Sequence, residues 1–200
     1  MFSAGADIAE MAGKNVGEGR AFGFLGQAAC RAIERCPKPV IAFVEGVALG
    51  GGLEVALAAD FIVASETARL GLPEASVGIH PGLGGATRLT RLIGRARAKL
   101  IVFSAVPFSA SEAYQLGFVA RIVPADRARA EVRALAETIA SRAPLALAAV
   151  KSVIDHSSDS SLESSVQLEG ESSAHTFGTY DKAEGMRAFL ERRPPKFQGR

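Results

Sequence analysis

The order of apolar and polar residues divides the chain into short apolar runs and longer stretches with helical periodicity. Short runs rich in β-branched residues predict strands at 40–44, 61–64 and 118–123, and a further short strand is expected at 69–71. Apolar residues at helical spacing predict helices at 24–36, 53–59, 86–104 with a break near Gly94, and 109–116. From residue 126 onward the pattern is helical only, at 126–141, 144–155, 161–175 and 181–192. The sequence therefore predicts an α/β core over 1–125 followed by a helical region over 126–200.

Local capping and turn signals refine these boundaries. Asp7 has the properties of an N-cap for a short helix that ends at Met11. Residues 13–19 and 75–85 are rich in glycine and are predicted to be surface loops. Two further pairs have the spacing of capping boxes, namely Ser160 with Glu163 and Asp181 with Glu184.

The stretch 39–59 combines a predicted buried strand, three consecutive glycines at 50–52 and an apolar helix. Glycines at the start of a helix allow a tight turn and leave backbone N–H groups without partners, where the helix dipole favours negative charge. This arrangement is typical of a site for charge developing on a carbonyl oxygen. Glu54 interrupts the apolar helix within its first turn, and we expect the same dipole to keep its carboxylate ionised. On its own, the stretch is also compatible with a glycine-rich turn and a capping glutamate.

Glu74 is a second carboxylate in apolar surroundings, because residues 70–77 contain no other charge. Burial there would raise the pKa of Glu74. Taken alone, Glu74 fits a turn residue after Pro73. Together with an ionised Glu54, it predicts a general base and a general acid beside one oxyanion site.

Composition excludes several classes of protein. The 200 residues are 48% hydrophobic and 22% charged, with a net charge of +2, 6% aromatic residues and no Trp, so we expect no nucleic-acid partner. No apolar run is long enough to span a bilayer, and no signal peptide is expected. Cys30, Cys36 and three scattered histidines predict no metal site, and unpaired cysteines fit a cytoplasmic protein. The basic residues Arg88, Arg91, Arg95 and Lys99 are interpreted as a solvated helix face.

Other catalytic motifs fail at specific positions. The glycines at 82–85 are followed by neither the last glycine of a dinucleotide fingerprint nor the Lys-Ser/Thr of a phosphate loop. No Gly-x-Ser-x-Gly elbow is present. His80 has no serine or aspartate at a recognisable spacing and is interpreted as a loop residue.

Five segments together resemble the enoyl-CoA hydratase/isomerase (crotonase) superfamily, in order and in spacing: FSAGADI at 2–8, GVALGGGLE at 46–54, LPE at 72–74, PGLGG at 81–85 with RL at 88–89, and EGMRAFLE at 184–191. The resemblance implies a spiral of ββα units followed by a C-terminal helical region that forms a trimer, often paired into a hexamer. It also implies an acyl-CoA thioester as substrate and no further cofactor or metal.

The resemblance also assigns roles to residues. It implies that the backbone N–H groups of Ala6 and Gly51 form the oxyanion hole and that Glu54 and Glu74 are the catalytic pair. It places substrate- and water-binding positions at Ala4, Asp7, Ile8, Gly50 and Gly82.

The implied reaction is the reversible addition of water to a 2-enoyl-CoA. From their surroundings we assign Glu54 to activating water at Cβ and Glu74 to protonating Cα, with a sharing of these roles through one water as the alternative. A Δ3,Δ2-enoyl-CoA isomerase, which needs only Glu74, and a branched-chain, methylglutaconyl-type hydratase remain alternatives. An inactive oligomeric scaffold is an alternative of another class. Family members carry further strands and a helix before the first motif, so we expect Met1 to be an internal methionine of a longer reading frame.

Overall fold

The computed structural model describes residues 1–200. Its strands, in chain order, are β1 (Ile41–Val44), β2 (Val47–Leu49), β3 (Phe61–Ser65), β4 (Arg69–Gly71), β5 (Phe108–Ser109) and β6 (Arg121–Val123). The helices up to residue 116 are α1 (Ile8–Ala12), α2 (Val16–Glu34), α3 (Gly51–Ala56), α4 (Gly85–Ile93), α5 (Arg95–Ser104) and α6 (Ala110–Leu116). Four helices follow: α7 (Ala128–Ala140), α8 (Pro144–Ser157), α9 (Leu162–Thr176) and α10 (Tyr180–Leu190). A 3-10 turn covers Glu74–Val77.

The strands form two small sheets. In the first, β1, β3 and β6 are all parallel, with Ile41 opposite Phe61 and Val63 opposite Arg121. In the second, β2 is parallel to β4, and β4 is antiparallel to β5. Ser3 adds a parallel bridge to Ala48 on the other side of β2. The α/β prediction is confirmed.

The core explains why the short apolar runs become strands. Side chains of the strands and of the helices between them bury completely at Val44, Leu53, Val63, Leu70, Leu89 and Ile101. Helix α3 is only six residues long, and Gly52, Leu53, Glu54 and Ala56 are all buried. A helix this short is stabilised by packing rather than by its own hydrogen bonds. It therefore holds Glu54 at a fixed place in the core.

Packing divides the chain into two units, one of residues 1–36 and 40–132 and the other of 37–39 and 133–200. Within the second unit, α8 packs against α9. The division into a catalytic core over 1–125 and a helical region over 126–200 stays a prediction. No helix is both long and apolar enough to cross a membrane.

Three local expectations are wrong. Residues 16–19 belong to α2 and not to a loop, because Asn15 and Glu18 form a reciprocal capping box that starts the helix despite its glycines. Strand β2 was not predicted, and the helix after it occupies 51–56 rather than 53–59. The predicted capping boxes near the C-terminus are also displaced, since Ser161 and Thr179 are the N-caps of α9 and α10.

Candidate active site

A pair of unused backbone donors lies where the N-terminal segment meets the start of α3. Ser3 donates its N–H to Val47 O (2.9 Å) and accepts from Leu49 N (3.0 Å), which places residues 3–6 beside the turn at 50–51. A Cβ on Gly51 would lie 3.7 Å from Ala6 N. Neither the N–H of Ala6 nor that of Gly51 donates a hydrogen bond within the chain. The two N–H groups are therefore available to a ligand oxygen.

Glycine is required at this meeting point for steric reasons. Gly5 has a φ of 99°, and a Cβ there would lie 2.9 Å from Leu49 O. Gly50 has a φ of 53°, a left-handed value that side chains rarely adopt. A larger residue at position 5 would push apart the two segments that carry Ala6 and Gly51, and one at position 50 would strain the backbone.

Glu54 is held by a neighbouring helix. Its side chain is buried, with 2% of the residue exposed, and Oε1 accepts hydrogen bonds from Leu83 N (2.8 Å) and Gly85 N (2.7 Å). These donors belong to the turn that opens α4, so the positive end of that helix faces the carboxylate. These hydrogen bonds come from the turn before α4, and the effect of the α3 dipole on Glu54 stays a prediction. Both donors converge on Oε1, which leaves Oε2 for another partner.

Glu74 has the opposite surroundings. It lies in the 3-10 turn and is 9% exposed, and neither carboxyl oxygen has a hydrogen-bond partner. Burial raises the pKa of Glu74, and the nearby charge of Glu54 raises it further, while His80 acts in the opposite direction. A Cβ on Gly50 would lie 3.3 Å from Glu74 Oε1, so Glu74 lies directly beside the glycine turn. The site thus combines three features. Glu54 accepts two backbone hydrogen bonds, the pKa of Glu74 is raised, and the N–H groups of Ala6 and Gly51 have no partner within the chain.

The other predicted positions differ in their exposure to solvent. Ala4, Asp7, Ile8 and Gly82 are exposed, whereas Gly50 is buried. Asp7 accepts from Ala9 N at 2.8 Å, which confirms it as the cap of α1. Their roles in binding substrate or water stay predictions. His80 lies in its loop, with Nδ1 2.8 Å from Pro81 O.

Several residues around Glu54 were missed by the sequence analysis. The donors Leu83 and Gly85 could have been suspected, because consecutive glycines that open a helix offer free N–H groups. Arg88 was expected on a solvated face, but its side chain is only 17% exposed and donates to Glu34 and to Leu83 O. Gln27 donates to Gly82 O at 2.9 Å. No pattern within the sequence links these distant residues.

Metal ligands and disulfides play no part in the described geometry. No group of three or more His, Cys, Asp or Glu side chains is placed to hold a metal ion. Cys30 and Cys36 are both unpaired.

The fold, the two glutamates and the free N–H pair are the features expected of the enoyl-CoA hydratase/isomerase family. The sequence model of this family matches residues 1–200, so the chain belongs to the enoyl-CoA hydratase/isomerase family.

Several individual proteins and one crystal structure are similar to the chain over nearly its whole length. The short-chain-enoyl-CoA hydratase of Clostridium acetobutylicum is 41% identical over 192 residues, which cover 96% of this chain and 74% of that protein. The crotonyl-CoA hydratase of Syntrophomonas wolfei is 41% identical over 98% of this chain and 75% of its own length. A crystal structure of enoyl-CoA hydratase from Bacillus anthracis superposes with a TM-score of 0.95 at 39% identity, covering 98% of this chain and 76% of that one. The chain thus spans about three quarters of the length of these relatives.

Proposed function

We propose that the chain is an enoyl-CoA hydratase, which adds water reversibly across the 2,3 double bond of a 2-enoyl-CoA thioester. The observation that carries this proposal is the pairing of two buried glutamates with opposed surroundings beside two unused N–H groups. The family membership supplies the thioester, which the geometry alone does not identify. The names of the relatives favour a short acyl chain, such as crotonyl-CoA.

The oxyanion site stabilises the charge that builds up during addition. When water attacks Cβ, electrons move through Cα to the thioester oxygen, which becomes enolate-like. The N–H groups of Ala6 and Gly51 are placed to donate to that oxygen. Each such donor is worth about 3–4 kcal/mol of transition-state stabilisation.

The two glutamates divide the proton transfers. Glu54, held as an acceptor by Leu83 N and Gly85 N, removes a proton from the attacking water through its second oxygen. Glu74, whose pKa is raised by burial, supplies the proton to Cα. The hydroxyl ends on Cβ and the hydrogen on Cα, so water is added as a whole. A proton then returns from Glu54 to Glu74, through solvent or product, before the next cycle.

Two glutamates favour hydration over double-bond isomerisation, which moves one proton between two carbons and needs one carboxylate. The elaborate support of Glu54, which a pure isomerase would not require, is the specific observation against that alternative. An inactive scaffold would likewise have no use for the unpartnered acid Glu74.

The deciding experiment follows the loss of enoyl-thioester absorbance with crotonyl-CoA, a long-chain 2-enoyl-CoA and a branched 2-enoyl-CoA as substrates. We expect turnover of crotonyl-CoA, with a hydroxyacyl-CoA as the product identified by mass spectrometry. No water addition to any of the three substrates, by a folded protein, would overturn the hydratase proposal. Turnover of a 3-enoyl-CoA to the 2-enoyl isomer without hydration would establish the isomerase instead.

We also propose that the chain assembles as a trimer or hexamer in the cytoplasm. Within the C-terminal unit, Met186, Phe189 and Leu190 form an open apolar surface with Gly185, and Phe189 is 83% exposed. Single chains rarely leave such groups of apolar side chains uncovered. The unpaired cysteines fit a reducing compartment. Light scattering that finds an active monomer at micromolar concentration would refute the assembly.

A further inference from the structure

We propose that Arg88, anchored by Glu34, is a positioning residue for the general base: it fixes the turn at 82–85 so that its N–H groups hold the Glu54 carboxylate. This inference rests on the proposed function, since it concerns how Glu54 is held for hydration. Arg88 does not contact the reacting atoms in this account and acts only through the turn.

Side chains hold the turn at two successive peptides. The peptide between Gly82 and Leu83 donates its N–H to Glu54 Oε1 (2.8 Å), while its carbonyl accepts from Gln27 Nε2 (2.9 Å). The next carbonyl, that of Leu83, accepts from Arg88 Nη1 (2.8 Å). Two consecutive peptides are therefore fixed by side chains at the carbonyl end. The second of these, between Leu83 and Gly84, lies between the two peptides that carry the N–H groups of Leu83 and Gly85, so its orientation affects the direction of both.

Arg88 is itself fixed by a second contact. Its Nε donates to Glu34 Oε1 at 2.6 Å, and its side chain is 17% exposed against 40% for Glu34. A guanidinium offers several donors in one rigid plane, so one group can bind a carboxylate and a carbonyl together. Lysine, with a single flexible ammonium, cannot reproduce this geometry. Glu34 therefore determines where the guanidinium meets the turn.

Helix α2 forms the support behind the turn and Glu54. Gln27 and Glu34 are seven residues apart, which places them on the same helix face. Between them, Cys30 Sγ lies 4.0 Å from Glu54 O. On the same side, a Cβ on Gly26 would lie only 2.4 Å from Leu83 Cδ2, so the turn packs tightly against the helix. Helix α2 thus contacts the turn through Gly26 and Gln27, the backbone of Glu54 through Cys30, and Arg88 through Glu34.

A purely structural ion pair makes a different prediction from a positioning pair. A structural pair would affect folding stability and leave the chemistry of the folded enzyme unchanged. A positioning pair affects kcat, and only while Glu54 is present to be positioned. Substituting Arg88 alone, Glu54 alone and both together therefore separates the two explanations.

The test measures crotonyl-CoA hydration by Arg88→Met, Arg88→Lys and the exposed control Arg95→Met, each in the wild-type and the Glu54→Gln background. We expect Arg88→Met to lower kcat by roughly 10- to 100-fold with KM changed less than about twofold, as for a misplaced catalytic group. Arg88→Lys should recover only part of the loss, and Arg95→Met should keep the wild-type kcat. In the Glu54→Gln background, Arg88→Met should have little further effect, because no carboxylate remains to be held.

A folded Arg88→Met enzyme with wild-type kcat would overturn the inference, as would an equal loss in both backgrounds. If Arg88→Met does not fold, Glu34→Gln replaces it, since this change leaves Arg88 in place with a weaker anchor. It should lower kcat several-fold in the wild-type background and not in Glu54→Gln, and an unchanged kcat would again overturn the inference. A wild-type protein that hydrates no enoyl-CoA would instead refute the proposed function itself, so the two failures are distinct.

Discussion

Replacing Gly85 by alanine tests whether the exact position of Glu54 sets the rate of hydration. Gly85 is the first residue of α4 and donates its N–H to Glu54. A Cβ at this position would lie 2.6 Å from Glu54 Cγ and 3.0 Å from Oε1. The backbone of Gly85 has no positive φ, so alanine adds a steric contact without backbone strain.

The size of the displacement follows from these distances. Ordinary contact begins near 3.4 Å, so Glu54 Cγ has to retreat by about 0.8 Å, and a misplacement of about 1 Å can cost roughly 100-fold in rate. We therefore expect kcat for crotonyl-CoA to fall by roughly 30- to 100-fold, while KM stays close to that of the wild type. The contact should also lower the free energy of unfolding by about 1–3 kcal/mol.

The assay is steady-state hydration of crotonyl-CoA, with urea unfolding measured in parallel. Gly19→Ala is the matched control, because Gly19 lies in α2 and an added Cβ there meets nothing within 4 Å. The control should keep kcat and gain up to about 1 kcal/mol of stability from the better helix former. A Gly85→Ala enzyme with kcat within twofold of the wild type would show that Glu54 does not act from this position.

Three further predictions test the chemistry and the C-terminal unit. Glu54→Gln and Glu74→Gln should each keep the fold and lower kcat by about 10²- to 10⁴-fold, because an amide cannot exchange the proton; near wild-type turnover in either variant would contradict the two-glutamate mechanism. Because the pKa of Glu74 is raised, the folded chain binds the proton of this carboxyl more tightly than the unfolded chain does. The free energy of unfolding and kcat/KM should therefore both fall as the pH rises from 4.5 through the raised pKa of Glu74. In Glu74→Gln this part of the pH dependence of unfolding should disappear, and an unchanged profile would assign it elsewhere. Asp181→Asn should lower the free energy of unfolding by about 1–3 kcal/mol in urea titrations, because the two carboxylate oxygens accept from Gln198 N (2.6 Å) and Gly199 N (2.8 Å) and an amide has only one acceptor oxygen. The control is the exposed substitution Glu163→Gln, which should be neutral. Equal stability of the two variants would refute the role of Asp181.

The elements that the sequence predicts well are those with strong local signals. Strand β4 was expected at 69–71 and occupies those residues, and α6 ends at Leu116 because Gly117 adopts a φ of 98° that glycine tolerates. Strand β2 carries no such signal. Its three residues, Val47–Leu49, read as part of the glycine turn and become a strand only through pairing with β4 and Ser3.

The catalytic glutamates could be predicted because a carboxylate in an apolar segment is conspicuous. That Leu83 and Gly85 meet Glu54 could not be predicted, because they lie 29 and 31 residues from it along the chain. Arg88 shows the same limit. Its place in the helical pattern indicates an exposed face, and only the approach of Glu34 from α2, 54 residues away, makes that face partly buried. Tertiary packing, which no local pattern records, decides the environment of each group.

The two helices that open toward the site both begin at a glycine. The N-cap residues of α3 and α4 are Gly50 and Gly84, both with positive φ and neither with a side chain that could cap the helix. Helices α1, α2 and α6 instead begin with a side-chain oxygen that accepts from their first N–H groups, whereas α5 also begins at an uncapped glycine, Gly94.

A capping side chain at α3 or α4 would consume the donors that the proposed chemistry needs. At α4 the free donors hold the general base, and at α3 the free N–H of Gly51 remains for the thioester oxygen. The glycines therefore do more than permit tight turns. By withholding a cap, each leaves the positive end of a helix free for an oxygen, the Glu54 carboxylate in one case and the substrate oxygen on which charge develops in the other.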